Sequence, residues 1–358
     1  MTRLDQALRP HHLLGWLAFA ASLAAGCGQG GEDAASQASE ASNDALRIAV
    51  VPKGTTHEYW RSVQAGALAA TRDLTDSGVA VEMVFRGPDR EDDREQQIAL
   101  LENLQSGGFD AIVLAPLDGQ ALVAPVKRIR ESGRPVVIID SGLEGEPGTD
   151  YESFIATDNF QAGRLAGEHV SRVLGGVGRV LLLRYLEGSE STTQREEGFV
   201  SAIAEAGGFE LIDPRRFAGA TRATAQEASE NLLSSVAPRG EEDAFDAVFC
   251  PNESSTYGML RALEDRGLAG KVLFVGFDAS PDLVAALREG SIDGLVVQDP
   301  VRMGRLGVEA AVKALQGESL EPRIDTGAVL VFSEEIDERR HRDLLSPNLD
   351  AMGGGGGS

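Results

Sequence analysis

Cysteine is almost absent from this chain. Of 358 residues, only Cys27 and Cys250 are cysteines. If Cys27 is modified, no disulfide can form within the chain, and Cys250, at a strand end, reads as a small buried apolar residue. Histidine is scarce too, with five residues and no His/Cys spacing that would hold a metal. Basic charge is short: Lys and Arg number 33 against 56 Asp and Glu, a net charge of -23. No basic stripe is available to replace phosphate counterions, which excludes a nucleic-acid binder. There is no Walker motif and no G-x-S-x-G elbow. Gly175-Gly176-Val177-Gly178 falls between a helix and a strand, the wrong order for a dinucleotide fingerprint, and reads as a turn. With no nucleophile–base pair and no metal set, no catalytic residue and no cofactor are expected, and the chain does not read as an enzyme.

Hydrophobic runs long enough to span a bilayer are also missing after residue 26. Before it, Arg3 and Arg9 precede an apolar stretch from Leu13 to Ala25, too short for a comfortable span and typical of an export signal. It ends in Leu23-Ala24-Ala25-Gly26-Cys27, small residues before one cysteine, which resembles a bacterial lipobox. Lipid attachment at Cys27 is therefore expected, although the branched residue stands one place early, at Leu23. Gly28 to Asn43 is small, polar and acidic, as a flexible tether would be.

What is present is a regular alternation from Leu46 onward. Short apolar β-rich runs such as Arg47–Val51, Ala111–Ala115, Val136–Asp140, Ala247–Cys250 and Val272–Gly276 alternate with helical patterns of about ten residues or more. About eleven strands are too many for one compact sheet, so the reading is α/β with two doubly wound parallel-sheet, Rossmann-like lobes. The run Arg90-Glu-Asp-Asp-Arg-Glu95 reads as a solvated helix start.

Polarity changes abruptly where three of these strands end. Val136-Val-Ile-Ile leads into Asp140, Val272-Leu-Phe-Val-Gly-Phe into Asp278, and Ala247-Val-Phe-Cys-Pro into Asn252. Carboxylates at the C-terminal ends of buried parallel strands lie on the rim where open α/β sheets bind ligands; taken singly, each equally suits a helix cap. Ser280-Pro281-Asp282 reads as a capped helix start with proline in the first turn.

At this point an ordered set of motifs resembles the periplasmic sugar-binding proteins of the ribose-binding type, the type 1 binding proteins of ABC importers. The set is Glu58-Tyr59-Trp60, Ala115-Pro116-Leu117-Asp118, Ile139-Asp140, Ala156-Thr157-Asp158-Asn159, Arg195-Glu196-Glu197-Gly198-Phe199, Cys250-Pro251-Asn252-Glu253, Val275-Gly276-Phe277-Asp278 and Gln298-Asp299-Pro300. The resemblance implies a three-strand hinge with crossovers near Thr157, Gln298 and Thr326. It implies that Tyr59 and Trp60 pack on a sugar, and that Asp140, Arg195, Asn252, Asp278 and Gln298 bind its hydroxyls, with His57 beside them. Paired carboxylates, guanidinium and amide groups with an aromatic face suit vicinal hydroxyls and C–H faces independently. Departures from the family pattern, Ser141 for arginine, Ala115 and His57 for asparagine and Glu253 for aspartate, point away from ribose itself. Lys53 and His57 are expected to add charge at the cleft mouth.

The expected organisation is a signal peptide at 1–26, a tether at 27–45, a first lobe at 46–157 plus 299–326, a second lobe at 158–298 plus 327–346, and a disordered tail at 347–358. The expected function is binding of a small neutral sugar or related polyol, with hinge closure, by a monomeric, extracytoplasmic, lipid-anchored component that docks on an ABC permease. The alternative is a sensory receptor presenting a sugar or autoinducer-like molecule to a chemoreceptor or kinase. A LacI-type regulator would need an N-terminal DNA-binding motif where the export signal stands. The first prediction follows from Cys27: Cys27→Ser should move the exported protein from the membrane to the soluble fraction, and a wild-type protein already soluble after export would leave secretion without an anchor.

Overall fold

The computed structural model describes residues 45–238 and 244–349. The expected export signal, Cys27 and the tether up to residue 44 lie outside the described residues, as does the tail from 350 onward.

Runs of β-branched and aliphatic residues with no polar face become strands buried on both sides. In chain order the first lobe contains β1 (Leu46–Val51), α1 (Glu58–Asp76), β2 (Val81–Phe85), α2 (Arg94–Ser106), β3 (Ala111–Leu114), α3 (Val123–Glu131), β4 (Val136–Ile139) and β5 (Ser153–Ala156). The chain then crosses to a second lobe with α4 (Asn159–Val173), β6 (Val177–Leu182), α5 (Glu190–Ala206), β7 (Gly208–Ile212), α6 (Arg222–Val236), β8 (Ala247–Phe249), α7 (Glu253–Asp265), β9 (Leu273–Phe277), α8 (Pro281–Glu289) and β10 (Gly294–Gln298). It returns for α9 (Pro300–Leu315) and β11 (Arg323–Asp325), and crosses a third time to β12 (Ala328–Val331), a 3₁₀ turn (Ser333–Glu335) and α10 (Arg339–Leu345).

The two sheets are six-stranded and have matching orders: β11-β5-β4-β3-β1-β2 in one, β12-β10-β9-β8-β6-β7 in the other. Asp140 follows β4 and Asp278 follows β9, so the two aspartates sit at equivalent places in the two lobes. The hinge is bonded across its strands: Thr157 Oγ1 donates to the Gly327 carbonyl at 3.2 Å, and the Asp158 amide donates to Asp325 Oδ1 at 3.0 Å.

Several local expectations need correction. The second sheet is not wholly parallel, because β12 runs antiparallel to β10. The short crossing after β11 leaves no length for a crossover helix, so the strand has to enter the second sheet in the reverse direction. β11 itself was not read, since Arg-Ile-Asp carries no apolar run and both its ends are exposed. Ser280 precedes α8 with Pro281 in the first turn, but its hydroxyl makes no capping bond and accepts from Arg222 instead. α10 was not read as an element; its seven residues bury His341 and Leu345 against the second lobe. Residues 347–349, expected within the disordered tail, have defined positions, with the Leu349 amide bonded to the Pro347 carbonyl at 2.9 Å.

Close helix packing at glycine sets the lobes. A Cβ on Gly304 of α9 would lie 1.9 Å from the Val63 carbonyl of α1, and one on Gly163 of α4 would lie 1.9 Å from the Arg195 carbonyl of α5. Neither neighbour is a flexible side-chain tip, so the backbones themselves would have to separate. Gly163→Ala is therefore expected to destabilise the protein by about 1–3 kcal/mol through overpacking and to displace Arg195. Gly163→Ala in chemical denaturation is the check; an unchanged midpoint would mean the α4–α5 contact is not tightly packed.

Candidate functional site

Strand ends of both lobes and the first turns of α1 and α5 converge on one small internal chamber. It is lined by Lys53, His57, Tyr59, Trp60, Glu91, Asp140, Tyr185, Ser191, Thr192, Arg195, Asn252, Asp278 and Gln298. All eight residues singled out from the sequence for ligand contact lie on this lining.

Each carboxylate at the strand ends has a cation. On the first-lobe side Lys53 Nζ is 2.8 Å from Asp140 Oδ2, and both groups are buried. Tyr59 donates its hydroxyl to Asp140 Oδ1 at 2.9 Å. Burial, followed by the nearby Asp140 and Asp278 charges, pushes the Tyr59 phenol well above its usual range, with Arg195 opposing. Tyr59 therefore stays neutral and acts as a donor to Asp140. On the second-lobe side Arg195 NH1 is 4.0 Å from Asp278 Oδ2. Burial raises the Asp278 carboxyl pKa; Arg195, the Gln298 hydrogen bond and His57 pull it back, and Asp140 adds to the rise.

Asp140 and Asp278 share a conformation that most residues avoid. Their φ values are 65° and 67°. Aspartate tolerates the left-handed region better than most, yet the conformation costs roughly 1–2 kcal/mol. Such outliers persist where the surroundings hold them, commonly at ligand sites. Neither aspartate caps the helix that follows it in the chain, although Asp278 Oδ2 accepts from the Glu253 amide at the start of α7 at 3.3 Å. Asn252 does: its Oδ1 accepts from the Ser255 amide at 3.2 Å in a capping box at the start of α7. The capping role weighed against a ligand role from the sequence thus applies to Asn252, whose amide also faces the chamber.

Arg195 is held from within its own lobe. Its Nε donates to Asn159 Oδ1 at 2.9 Å, its NH1 to the Pro251 carbonyl at 3.0 Å, and its guanidinium lies 3.9 Å from the Phe277 ring centroid. Gln298 Nε2 donates to Asp278 Oδ1 at 2.6 Å, while Gln298 Oε1 is buried with no partner. His57 Nε2 lies 3.3 Å from Glu253 Oε2, close enough for an ion pair if protonated. The angle does not make a hydrogen bond, so both ring nitrogens remain buried without partners. Unpartnered buried polar atoms are costly, and a chamber that keeps several is built to receive complementary groups.

Three placements differ from the sequence reading. Lys53 is not at the cleft mouth: it is 4% exposed and deep in the chamber, also donating to Ser191 Oγ at 3.0 Å. Trp60 is largely a core residue at 2% exposure, edge-on to Tyr59 with centroids 5.0 Å apart, and presents its indole N–H to Glu91 Oε1 at 2.7 Å. Glu91 does not belong to a solvated helix start, because its other oxygen accepts from Tyr185 Oη across the lobes at 3.0 Å. Glu91, Tyr185, Ser191 and Thr192 were not singled out. Glu91 was hidden inside a run of charges, and Tyr185 is set only by the path of the chain after β6.

The chamber holds about 30 Å³, room for a few waters and far below the roughly 300 Å³ of small ligand sites. The lobes meet over it. Besides Glu91–Tyr185 and Lys53–Ser191, the Ser191 amide donates to Ser141 Oγ at 3.1 Å, and Asn159 Nδ2 reaches the Asp140 carbonyl at 3.4 Å. This is a closed arrangement, and a ligand larger than water enters only when the lobes part.

Comparison with known proteins bears on what that ligand is. Residues 48–319 match the family described as the periplasmic binding protein domain. The chain is 29% identical to the ribose import binding protein of Salmonella typhimurium over 249 residues, 69% of this chain and 79% of that one. It is 31% identical to the protein of the same name from Haemophilus influenzae over 238 residues, covering 66% and 76%. Among solved structures, an ABC transporter solute-binding protein from Agrobacterium vitis with bound D-fucose superposes with a TM-score of 0.77 at 34% identity, covering 84% of this chain and 99% of that one. A carbohydrate transporter solute-binding protein from Agrobacterium radiobacter in complex with D-arabinose gives 0.75 at 30% identity, covering 85% and 99%. The proteins named in these comparisons are binding proteins, not enzymes.

Removing Arg195 tests the charge balance. Arg195→Ala leaves Asp278 buried without its cation and frees the Pro251 carbonyl and Asn159. A loss of about 3–5 kcal/mol is expected for breaking a buried pair. Asp278, already raised, should rise further. A carboxyl whose folded pKa is raised contributes stability below its unfolded pKa and loses it as pH rises through the folded value. The deficit against wild type should therefore grow from pH 5 to pH 8 in ligand-free melting curves. A deficit that does not change with pH would show that Arg195 acts through its hydrogen bonds alone.

Proposed function

The chain belongs to the periplasmic binding protein family, and from that membership we propose that it binds a small sugar or related polyol in the chamber between its lobes as the substrate-binding component of an ABC importer. The observation that carries this reading is the pairing of two strained, buried aspartates from opposite lobes around a chamber that retains unpartnered polar atoms on Gln298 and His57. Carboxylates accept from adjacent hydroxyls, Arg195 and Asn252 donate to sugar oxygens, and Tyr59 and Trp60 supply apolar faces. The sugars bound by the structural relatives, D-fucose and D-arabinose, have these features.

Binding on this reading proceeds by hinge opening, entry and closure, the ligand favouring the closed form because only there do both lobes touch it. The closed molecule then presents a composite surface of both lobes to a permease. Its place is outside the cytoplasmic membrane, in the periplasm, held by lipid at Cys27 and acting as a monomer.

A thermal-shift screen of pentoses, hexoses, deoxyhexoses and inositols tests the assignment. A ligand at a hundred times its dissociation constant stabilises by about 2.7 kcal/mol through mass action. With both lobes closed on it, the same ligand should alter emission from Trp60. Asp140→Ala and Asp278→Ala should each weaken binding by about tenfold or more, at 1.4 kcal/mol per tenfold. If no sugar or polyol at millimolar concentration shifts either melting or emission, the assignment is wrong.

A further inference from the structure

Resting on that reading, we propose that the ligand is a cationic sugar or cyclitol, one bearing a protonated amine, and that Glu91 receives the ammonium group. The resemblance and the hydroxyl-binding side chains pointed to a neutral sugar, and the run that holds Glu91 read as a solvated helix start.

Two basic side chains, Lys53 and Arg195, and three acidic ones, Glu91, Asp140 and Asp278, line the chamber. Both cations are already committed, Lys53 to Asp140 at 2.8 Å and Arg195 beside Asp278 at 4.0 Å. His57, the other group that can carry positive charge, faces Glu253. Glu253 is shared with Arg222. Glu91 is left over. Among the described residues no ion pair is formed by Glu91; its contacts are two neutral donors, Trp60 Nε1 at 2.7 Å and Tyr185 Oη at 3.0 Å.

A carboxylate has about four acceptor positions, and the indole and phenol take one on each oxygen. Glu91 is half-buried, and its remaining acceptor positions belong to a group on the chamber lining that has no cation of its own. Gln298 Oε1, on a side chain 2% exposed and also on the lining, is a second acceptor without a donor. Tyr59, Trp60 and Tyr185 line the chamber with Glu91, and aromatic rings are compatible neighbours for a cation. A ligand ammonium brings three donors and one positive charge, meeting both deficits at once.

The experiment compares matched pairs by calorimetric titration at pH 7: D-glucosamine with D-glucose, D-galactosamine with D-galactose, and the amine-substituted with the unsubstituted inositol. The neutral N-acetyl forms of the two hexosamines are added as controls. In at least one pair the amine should bind about tenfold or more tighter than its hydroxyl parent, the gain of a charge-assisted bond over a neutral one. N-acetylation should abolish the gain, and Glu91→Gln should remove it while changing affinity for the parent sugar less. A Glu91→Gln melting curve close to wild type shows that the fold is kept; if the variant does not fold, the N-acetyl comparison on wild type decides. If parents bind as tightly as amines, the cationic class is wrong and the sugar-binding assignment stands. If amines are preferred but Glu91→Gln keeps the preference, Glu91 is not the receiving group. If no amine binds while a neutral sugar of the wider thermal-shift screen does, the cationic class is wrong; if nothing in that screen binds either, both readings fall.

Discussion

A carboxylate at the end of a buried strand has to be neutralised where it stands, and the rest of this molecule is arranged around that requirement. Asp140 and Asp278 occupy matching positions after β4 and β9, both at positive φ and both nearly inaccessible to solvent. An unpaired buried carboxylate would cost several kcal/mol. Lys53 answers one and Arg195 the other, from different elements in each lobe. Those cations need positioning of their own. Arg195 is fixed by the close approach of α4 and α5 at Gly163, and by Asn159 and the Pro251 carbonyl. Lys53 is fixed by the exit of β1 between β2 and β3. Helix packing and strand order thus place, in each lobe, the cation that its buried aspartate requires.

Much of the architecture was legible because buried parallel strands write themselves as unbroken apolar runs, and because abrupt polar residues at their ends mark the rim of the sheet. Asp140, Asn252 and Asp278 could be found this way. Other features have no such signature. β11 is three residues with polar ends, held by pairing to β5 rather than by its own composition. The antiparallel entry of β12 depends on the length of the hinge crossing, not on the residues that make the strand. Glu91 looked like one acid among several in a charged run, and its contacts with Trp60 and Tyr185 are long-range, 31 and 94 residues away along the chain. Charge runs hide single functional members because local sequence carries no sign of which side chain turns inward. Lys53 was noticed but placed wrongly for a related reason: a lysine after a strand is usually exposed, and only the facing Asp140 makes its burial possible.

The chamber's bonds fall into two sets, and the division decides how the protein moves. Within lobes lie Lys53–Asp140, Tyr59–Asp140, Trp60–Glu91, Arg195–Asn159, Arg195–Pro251 and Gln298–Asp278. Between lobes lie Glu91–Tyr185, Lys53–Ser191, Ser141–Ser191 and the His57–Glu253 approach. The first set survives opening and keeps each half of the site in its binding geometry, so little ordering remains to be done when a ligand arrives. The second set breaks on opening, and water replaces it at modest net cost, about 0.5–1.5 kcal/mol for each neutral hydrogen bond. The closed, ligand-free arrangement is consequently held by a few kcal/mol at most, set against the desolvation of three carboxylates facing one another.

On the proposed reading, that balance makes closure with ligand firmer than closure without it. Bringing the lobes together confines Glu91, Asp140 and Asp278 with Lys53 and Arg195 around a space of about 30 Å³, where one carboxylate is left without a cation and little water remains to screen it. On the same reading, a donor that a ligand supplies to that carboxylate counts for most in the closed form, because in an open form the carboxylate is hydrated. Differential affinity of this kind is the sole means by which a ligand shifts a two-state equilibrium. The excess acidic charge is therefore more than a means of recognition. On the proposed reading, it lets a filled chamber hold the lobes together more firmly than the bonds between them do when it is empty.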